Sequence, residues 1–274
     1  MKPTGLTYII NDLSLIRKDL IGDNSIIIKM DDPNSVVGVF RKFSSDFLID
    51  QMILDLGYGC LSQIPFNSDW ENIPLTILAY NLGELNDVLN IVGLLQASKL
   101  FVFLPASNDE TYSSLKILAS LGINCGIKFD SGPIDDERFL DLASYYYMSP
   151  VPHASIEPFA NIKTHLHANE NHSFDEVYNI DGRRFVYLLN DCEVSFTPEG
   201  KRLSLSMSEK ELEKEQIDYK LENYYCHFMS LDKCSKCQAF KICNHSLSEF
   251  FRNDCEGIMT EVFEYAELGD NIKR

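Results

Sequence analysis

Between residues 25 and 130, short runs of β-branched and aromatic residues alternate with longer stretches whose apolar positions recur at helical spacing. Ser25-Ile-Ile-Ile-Lys-Met30 is a β-branched run bounded by Asn and Asp, which predicts a strand. Residues 47–61 carry Phe47, Leu48, Met52, Leu54 and Leu56, a spacing that predicts a helix ended by Gly57 and Gly59. Further strands are predicted at 74–80, at 100–104 before Pro105, and at 124–129. Helices are predicted at 85–95, at 111–121 with Gly122 as its terminator, and at 135–147.

Strands alternating with helices imply parallel pairing through crossover connections. The units are too few for a complete eight-fold barrel. The fold class is therefore α/β, with a partial, incomplete parallel barrel over residues 1–150. Ligands of such sheets gather at the carboxyl ends of the strands. Here that points to Asp130 and to residues 153–157. Glu157 lies between Ile156 and Pro158, where a buried carboxylate needs a partner. A buried functional carboxylate and a surface-loop carboxylate both stay open at this point.

The prolines of Ser149-Pro-Val-Pro-His153 end the preceding helix and open a connecting segment, 151–190. It contains His165-x-His167-x4-His172, whose Asn- and Glu-rich surroundings favour a polar loop over a metal site. Asp181-Gly182 is a turn signal between Val177-Tyr-Asn-Ile180 and Phe185-Val-Tyr-Leu-Leu189. A small Cys-rich module follows over 191–274. It opens with a hairpin from Cys192 to Ser204, turning at Pro198-Glu199-Gly200. Ser208-x-x-Glu211 is a capping box for a charged helix running to about Leu221. Ile258, Met259, Val262, Phe263, Ala266 and Leu268 predict a closing amphipathic helix.

Composition narrows the function classes. The chain of 274 residues is 45% apolar and 24% charged, as expected of a globular protein. Its net charge of −17 repels phosphate backbones and argues against nucleic acid as a partner. No apolar run approaches the length of a membrane span, and the first apolar stretch is broken by Asn11 and Asp12, unlike a secretory signal. With clustered cysteines, this predicts a reducing, cytoplasmic setting. No Gly-x-Gly-x-x-Gly run and no Gly-Lys-Ser/Thr phosphate loop occurs.

Candidate chemistry concentrates in the cysteines. Cys125 lies in an apolar strand and reads as core. Cys60 follows two glycines, but no activating base is near it in sequence, so it is not read as a nucleophile. Cys234-x2-Cys237-x5-Cys243 with Cys255 packs four thiols into 22 residues, the pattern of a thiolate metal site. The unequal gaps favour an iron–sulfur cluster, and zinc remains the alternative.

Cys234-x2-Cys237-x5-Cys243, followed by Asp254-Cys255-Glu-Gly-Ile-Met-Thr-Glu-Val-Phe-Glu-Tyr-Ala-Glu267, resembles the SPASM domain. That domain is the C-terminal extension of many peptide-modifying radical S-adenosylmethionine enzymes. The hairpin from Cys192 resembles the one that opens such domains. The resemblance implies an auxiliary 4Fe–4S cluster on Cys234, Cys237, Cys243 and Cys255, with Cys192 and Cys226 as candidates for a further site. The sequence departs from the family at Leu247 and Leu205, where additional cysteines are expected, and the catalytic Cys-x3-Cys-x2-Cys run occurs nowhere in it. Leu118-Ala-Ser-Leu-Gly-Ile-Asn-Cys-Gly-Ile-Lys-Phe129, Phe139-Leu-Asp-Leu-Ala-Ser-Tyr-Tyr146 and Pro152-His-Ala-Ser-Ile-Glu-Pro-Phe159 resemble the pseudo-radical-SAM proteins, which lack those cysteines and accompany peptide-maturation systems. The resemblance implies a non-catalytic accessory protein that binds a peptide substrate or a partner maturase. A zinc-stabilised interaction module and a redox enzyme using only the C-terminal metal are the alternatives.

Overall fold

The computed structural model describes residues 6–97, 100–129, 134–166, 185–228, 234, 236–237, 251 and 255–272. Its strands are β1 (Thr7–Ile10), β2 (Ser25–Met30), β3 (Ile49–Asp55), β4 (Leu75–Leu78), β5 (Leu100–Pro105), β6 (Asn124–Lys128), β7 (Ile156–Glu157), β8 (Phe185–Leu188), β9 (Glu193–Ser195) and β10 (Leu203–Ser204). All belong to one sheet of order β10-β9-β8-β1-β2-β3-β4-β5-β6-β7. The run from β8 through β1 to β7 is parallel, and β9 and β10 extend it antiparallel. Strands beyond residue 150 thus continue the sheet begun by the first seventy residues.

The helices are α1 (Lys18–Ile21), α2 (Val36–Phe43), α3 (Leu85–Ala97), α4 (Thr111–Ser120), α5 (Asp136–Met148), α6 (Phe159–Leu166), α7 (Glu209–Phe228) and α8 (Cys255–Ile272). Their starts follow local chemistry. The Asp135 carboxylate accepts the Arg138 amide at 3.1 Å and caps α5, whose first turn also carries Asp136 and Glu137. The Ser208–Glu211 capping box forms as read: the Ser208 amide donates to the Glu211 carboxylate at 2.8 Å. The hairpin also forms, with Leu203 opposite Val194.

Alternate strand residues face opposite ways. On one face, Tyr8, Ile28, Met52, Leu54, Val102 and Cys125 join Leu115, Leu118, Phe139 and Leu142 of the helices in a continuous core. On the other, Ile9, Ile27, Ile53 and Phe185 form a separate small cluster with Leu78 and Tyr187. The long closing helix α8 lies on α5. It is near enough that a Cβ at Gly269 would sit 2.5 Å from the Tyr147 carbonyl oxygen.

Two readings of the pattern are corrected. Residues 49–55 form a strand, not part of a helix. Met52, Ile53 and Leu54 are all buried, because β3 lies between β2 and β4 with apolar residues on both faces. Two-sided burial blurs the period of two that would have marked a strand. Leu268, expected on the buried stripe of the closing helix, is half exposed, whereas Ile258, Met259, Val262, Phe263 and Ala266 are buried. Asp130, His167, His172, the segment 177–182 and Cys243 lie outside the described residues.

Candidate functional site

The face of the sheet opposite the helices carries an in-register row of five side-chain positions. Asp55 pairs with Leu78, Leu78 with Phe103, Phe103 with Gly126, and Gly126 with Glu157. The row crosses β3 to β7 near the carboxyl ends of β3, β4, β6 and β7, where open α/β sheets take their ligands. The missing side chain at Gly126 makes room for it. A Cβ there would lie 2.6 Å from the Phe103 ring and 2.9 Å from the Glu157 Cβ.

Each end of the row is a carboxylate in its own environment. Glu157 accepts the Asn161 amide at 3.1 Å, from the first turn of α6. Burial nonetheless disfavours its charge and pushes its pKa up to about 7. The half-buried Tyr146 phenol is pushed up to about 12 by desolvation and by the nearby Glu157 charge. At the other end, burial works against the Asp55 charge too. It is outweighed by the Lys29 ammonium at 3.0 Å, the Gly57 amide at 3.1 Å and the charge of Lys128, so the Asp55 pKa is lowered. Lys128 ends β6 on the same face, two residues beyond Gly126. Among the described residues its ammonium makes no direct hydrogen bond or ion pair.

An aromatic rim borders the Asp55 end. Tyr58, 88% exposed, follows β3, and its ring centroid lies 5.4 Å from that of Tyr80 after β4. Cys60 is half-buried in this rim and bridges to Asn81 through the backbone. Of residues 153–157, expected at the strand ends, Glu157 belongs to the row. His153 instead stacks on Tyr145 at 5.2 Å and meets the Tyr146 carbonyl oxygen through Nε2 at 2.9 Å. Lys29, Asp55 and Lys128 were not singled out from sequence. Their signal was present: each is a charged residue at the last position of its strand on this face.

The cysteines divide by location. Cys125 is fully buried with its thiol against the Leu115 carbonyl, and burial raises its pKa far out of reach of ionisation. Cys192 is exposed in the turn between β8 and β9, where its amide donates to the Asn190 side chain at 2.9 Å. Cys226 lies within α7. Cys234 and Cys237 share one turn, the Cys237 amide donating to the Cys234 carbonyl at 3.3 Å. Burial, the neighbouring Cys237 and Glu256 raise the Cys234 thiol pKa. Cys237 and Cys255 both pack against the core.

The donor chemistry of this corner, soft sulfur from a turn and from the start of α8, suits a thiophilic metal. Among the described residues, however, no three His, Cys, Asp or Glu side chains are arranged to hold an ion. No described helix is long and apolar enough to cross a membrane. No family model, no curated protein and no solved structure matches the chain.

Proposed function

We propose that this chain is a non-catalytic partner in the maturation of a ribosomally made peptide, working in the cytoplasm. It binds the peptide, or a maturase presenting it, on the inner face of an incomplete parallel α/β barrel. A SPASM-like module at its C-terminal end holds an auxiliary 4Fe–4S cluster on Cys234, Cys237, Cys243 and Cys255.

The observation that carries this reading is the strand order. β1 to β7 follow one another side by side and β8 returns beside β1, the order of a barrel left unpaired between β7 and β8. The carboxyl end of this sheet carries Lys29, Asp55, Lys128 and Glu157, while the sequence lacks the three-cysteine run that would start radical chemistry.

The test is purification of the full chain under anaerobic conditions. About four irons and four sulfides per chain are expected, with capture of a peptide or maturase from the same cells and no 5′-deoxyadenosine formed on reduction with S-adenosylmethionine. One zinc per chain without sulfide overturns the cluster. Deoxyadenosine above a no-protein control overturns the non-catalytic role.

A further inference from the structure

We propose that His153 is an acid-closed latch. With a proton on both ring nitrogens it ties the carboxyl end of α5 to the segment that leads into β7, and on losing one proton it releases one of the two ties. The latch is a device of the fold itself and does not depend on what docks on the sheet.

The two acceptors dictate what the ring must carry. Nδ1 of His153 meets the Ala154 carbonyl oxygen at 3.0 Å, and Nε2 meets the Tyr146 carbonyl oxygen at 2.9 Å. A carbonyl oxygen only accepts, so each nitrogen must donate. A neutral imidazole has one N–H and can satisfy one of the two carbonyls. The other nitrogen then turns a lone pair toward an oxygen. The imidazolium satisfies both. Tyr146 lies in the last turn of α5, where carbonyls lack partners within the helix and the helix dipole favours a cation. That turn carries no basic side chain of its own. His153 supplies both the donor and the charge from outside the helix.

The surroundings hold the ring in place. From α5, the Tyr145 ring stacks on the imidazole at 5.2 Å and the Tyr146 ring tilts against it at 5.1 Å. Aromatic faces attract a cation. From α4, Lys116 lies 5.5 Å from the centroid of the same Tyr145 ring, with its charge paired to Asp141 at 2.5 Å. From β7, Glu157 is the carboxylate near the Tyr146 phenol. The latched segment has few other ties. The Ala154 amide donates to the Ala119 carbonyl of α4 at 3.0 Å, and the Ser155 carbonyl accepts the Cys125 amide at 2.9 Å. β7 itself is two residues long and ends the sheet, so one bond more or less is felt there. Glu157 acts with the same sign at the other end of the segment, because burial favours its protonated form and that preference is lost as pH rises through about 7. Both ends are docked in acid and looser in alkali.

The test is hydrogen exchange of the full-length protein at pH 5 and pH 8, a span over which a histidine ordinarily changes charge. Each amide rate is divided by that of an unstructured peptide at the same pH. A Glu157→Gln background leaves His153 as the one titrating group of residues 149–157. Protection of residues 153–157 should be about tenfold greater at pH 5, the low end of what a hydrogen bond from a charged donor contributes. Protection of β2 should be the same at both. Adding His153→Phe keeps a ring against Tyr145 and removes both donors, so the difference should vanish. Equal protection at the two pH values, a difference that survives His153→Phe, or one shared equally by β2 overturns the latch. A second readout needs no substitution at 153. With nitrogen-15 in the histidines, the imidazole in contact with the Tyr145 ring should show two slowly exchanging N–H protons at pH 5, and a single one there overturns the latch as well.

Discussion

Asp55 and Glu157 close the two ends of one lateral row on the face of the sheet opposite the helices, with Leu78, Phe103 and Gly126 in register between them. The two acids are shifted in opposite directions: donors lower the Asp55 pKa, whereas burial raises that of Glu157 to about 7.

For Glu157 the sign of the pH dependence is reversed from that of a paired carboxylate. Its folded pKa, about 7, lies above the unfolded value, so its contribution is fully present below about pH 4.5 and is lost as pH rises through 7. Glu157→Gln should raise stability at pH 8 by about 1–3 kcal/mol and change little at pH 5. Urea unfolding of both proteins at the two pH values measures this, and an equal difference at each would sink it. The neighbouring Tyr146 and Cys125 are both shifted upward and stay neutral across that range.

Gly126→Ala should destabilise the fold by about 1–3 kcal/mol, as expected for overpacking. The added methyl meets the Phe103 ring at 2.6 Å and the Glu157 Cβ at 2.9 Å. Thermal unfolding reads the loss. A carbon-13 titration of Glu157 should also show its pKa moved, because the carboxylate is pushed off its seat. An unchanged melting curve would mean that the face is looser than described.

At Gly269 two effects oppose each other. Alanine favours a helix over glycine by about 1 kcal/mol, but here its Cβ would lie 2.5 Å from the Tyr147 carbonyl oxygen, a backbone atom that cannot swing away. The clash outweighs the helical preference, and Gly269→Ala should lower the melting temperature by several degrees, roughly 1–3 kcal/mol. A higher melting temperature would show that α8 does not rest on α5 at this point.

Lys29→Met removes the closest donor to Asp55 and leaves Lys128 and the Gly57 amide. Because the pair is partly exposed, the loss at pH 7 should be only about 0.5–1 kcal/mol. The Asp55 pKa rises, so acid unfolding begins at higher pH than in the parent protein. An acid-unfolding midpoint identical to the parent's would remove Lys29 from the account of Asp55.

Cys237→Ala should lower bound metal and loosen the C-terminal module, since binding energy in small metal-closed units is folding energy. Full metal content with an unchanged melting curve would remove Cys237 from the donor set.

Much of the sheet was legible because several of its strands are continuous β-branched or aromatic runs bounded by turn residues. Ser25–Met30 forms with the bounds its β-branched run predicts, and the strands at 100 and 124 follow the same logic. The strand Ile49–Asp55 was hidden because Asp50, Gln51 and Asp55 interrupt its apolar pattern. Their reasons are tertiary: Asp50 accepts the Thr7 hydroxyl at 3.1 Å and the Ser25 hydroxyl at 2.8 Å, from two other strands. Glu157 was visible as an acid in an apolar setting. Lys128 was not, because its meaning comes from Asp55, three strands away, and no local spacing encodes that distance.

The position of β1 has a consequence for how the chain reaches its native state. Thr7 pairs with Ser25 on one side and with Phe185 on the other. During synthesis β1 and β2 can meet at once, but the second flank of β1 stays unpaired until most of the polypeptide has left the ribosome. Closing that distant contact demands a large loop entropy before any pairing repays it, which makes the step slow. In the meantime that flank leaves backbone N–H and C=O groups of β1 unpaired. Nascent chains released before Phe185 should be the form most prone to aggregate, because one flank of the first strand made is still open.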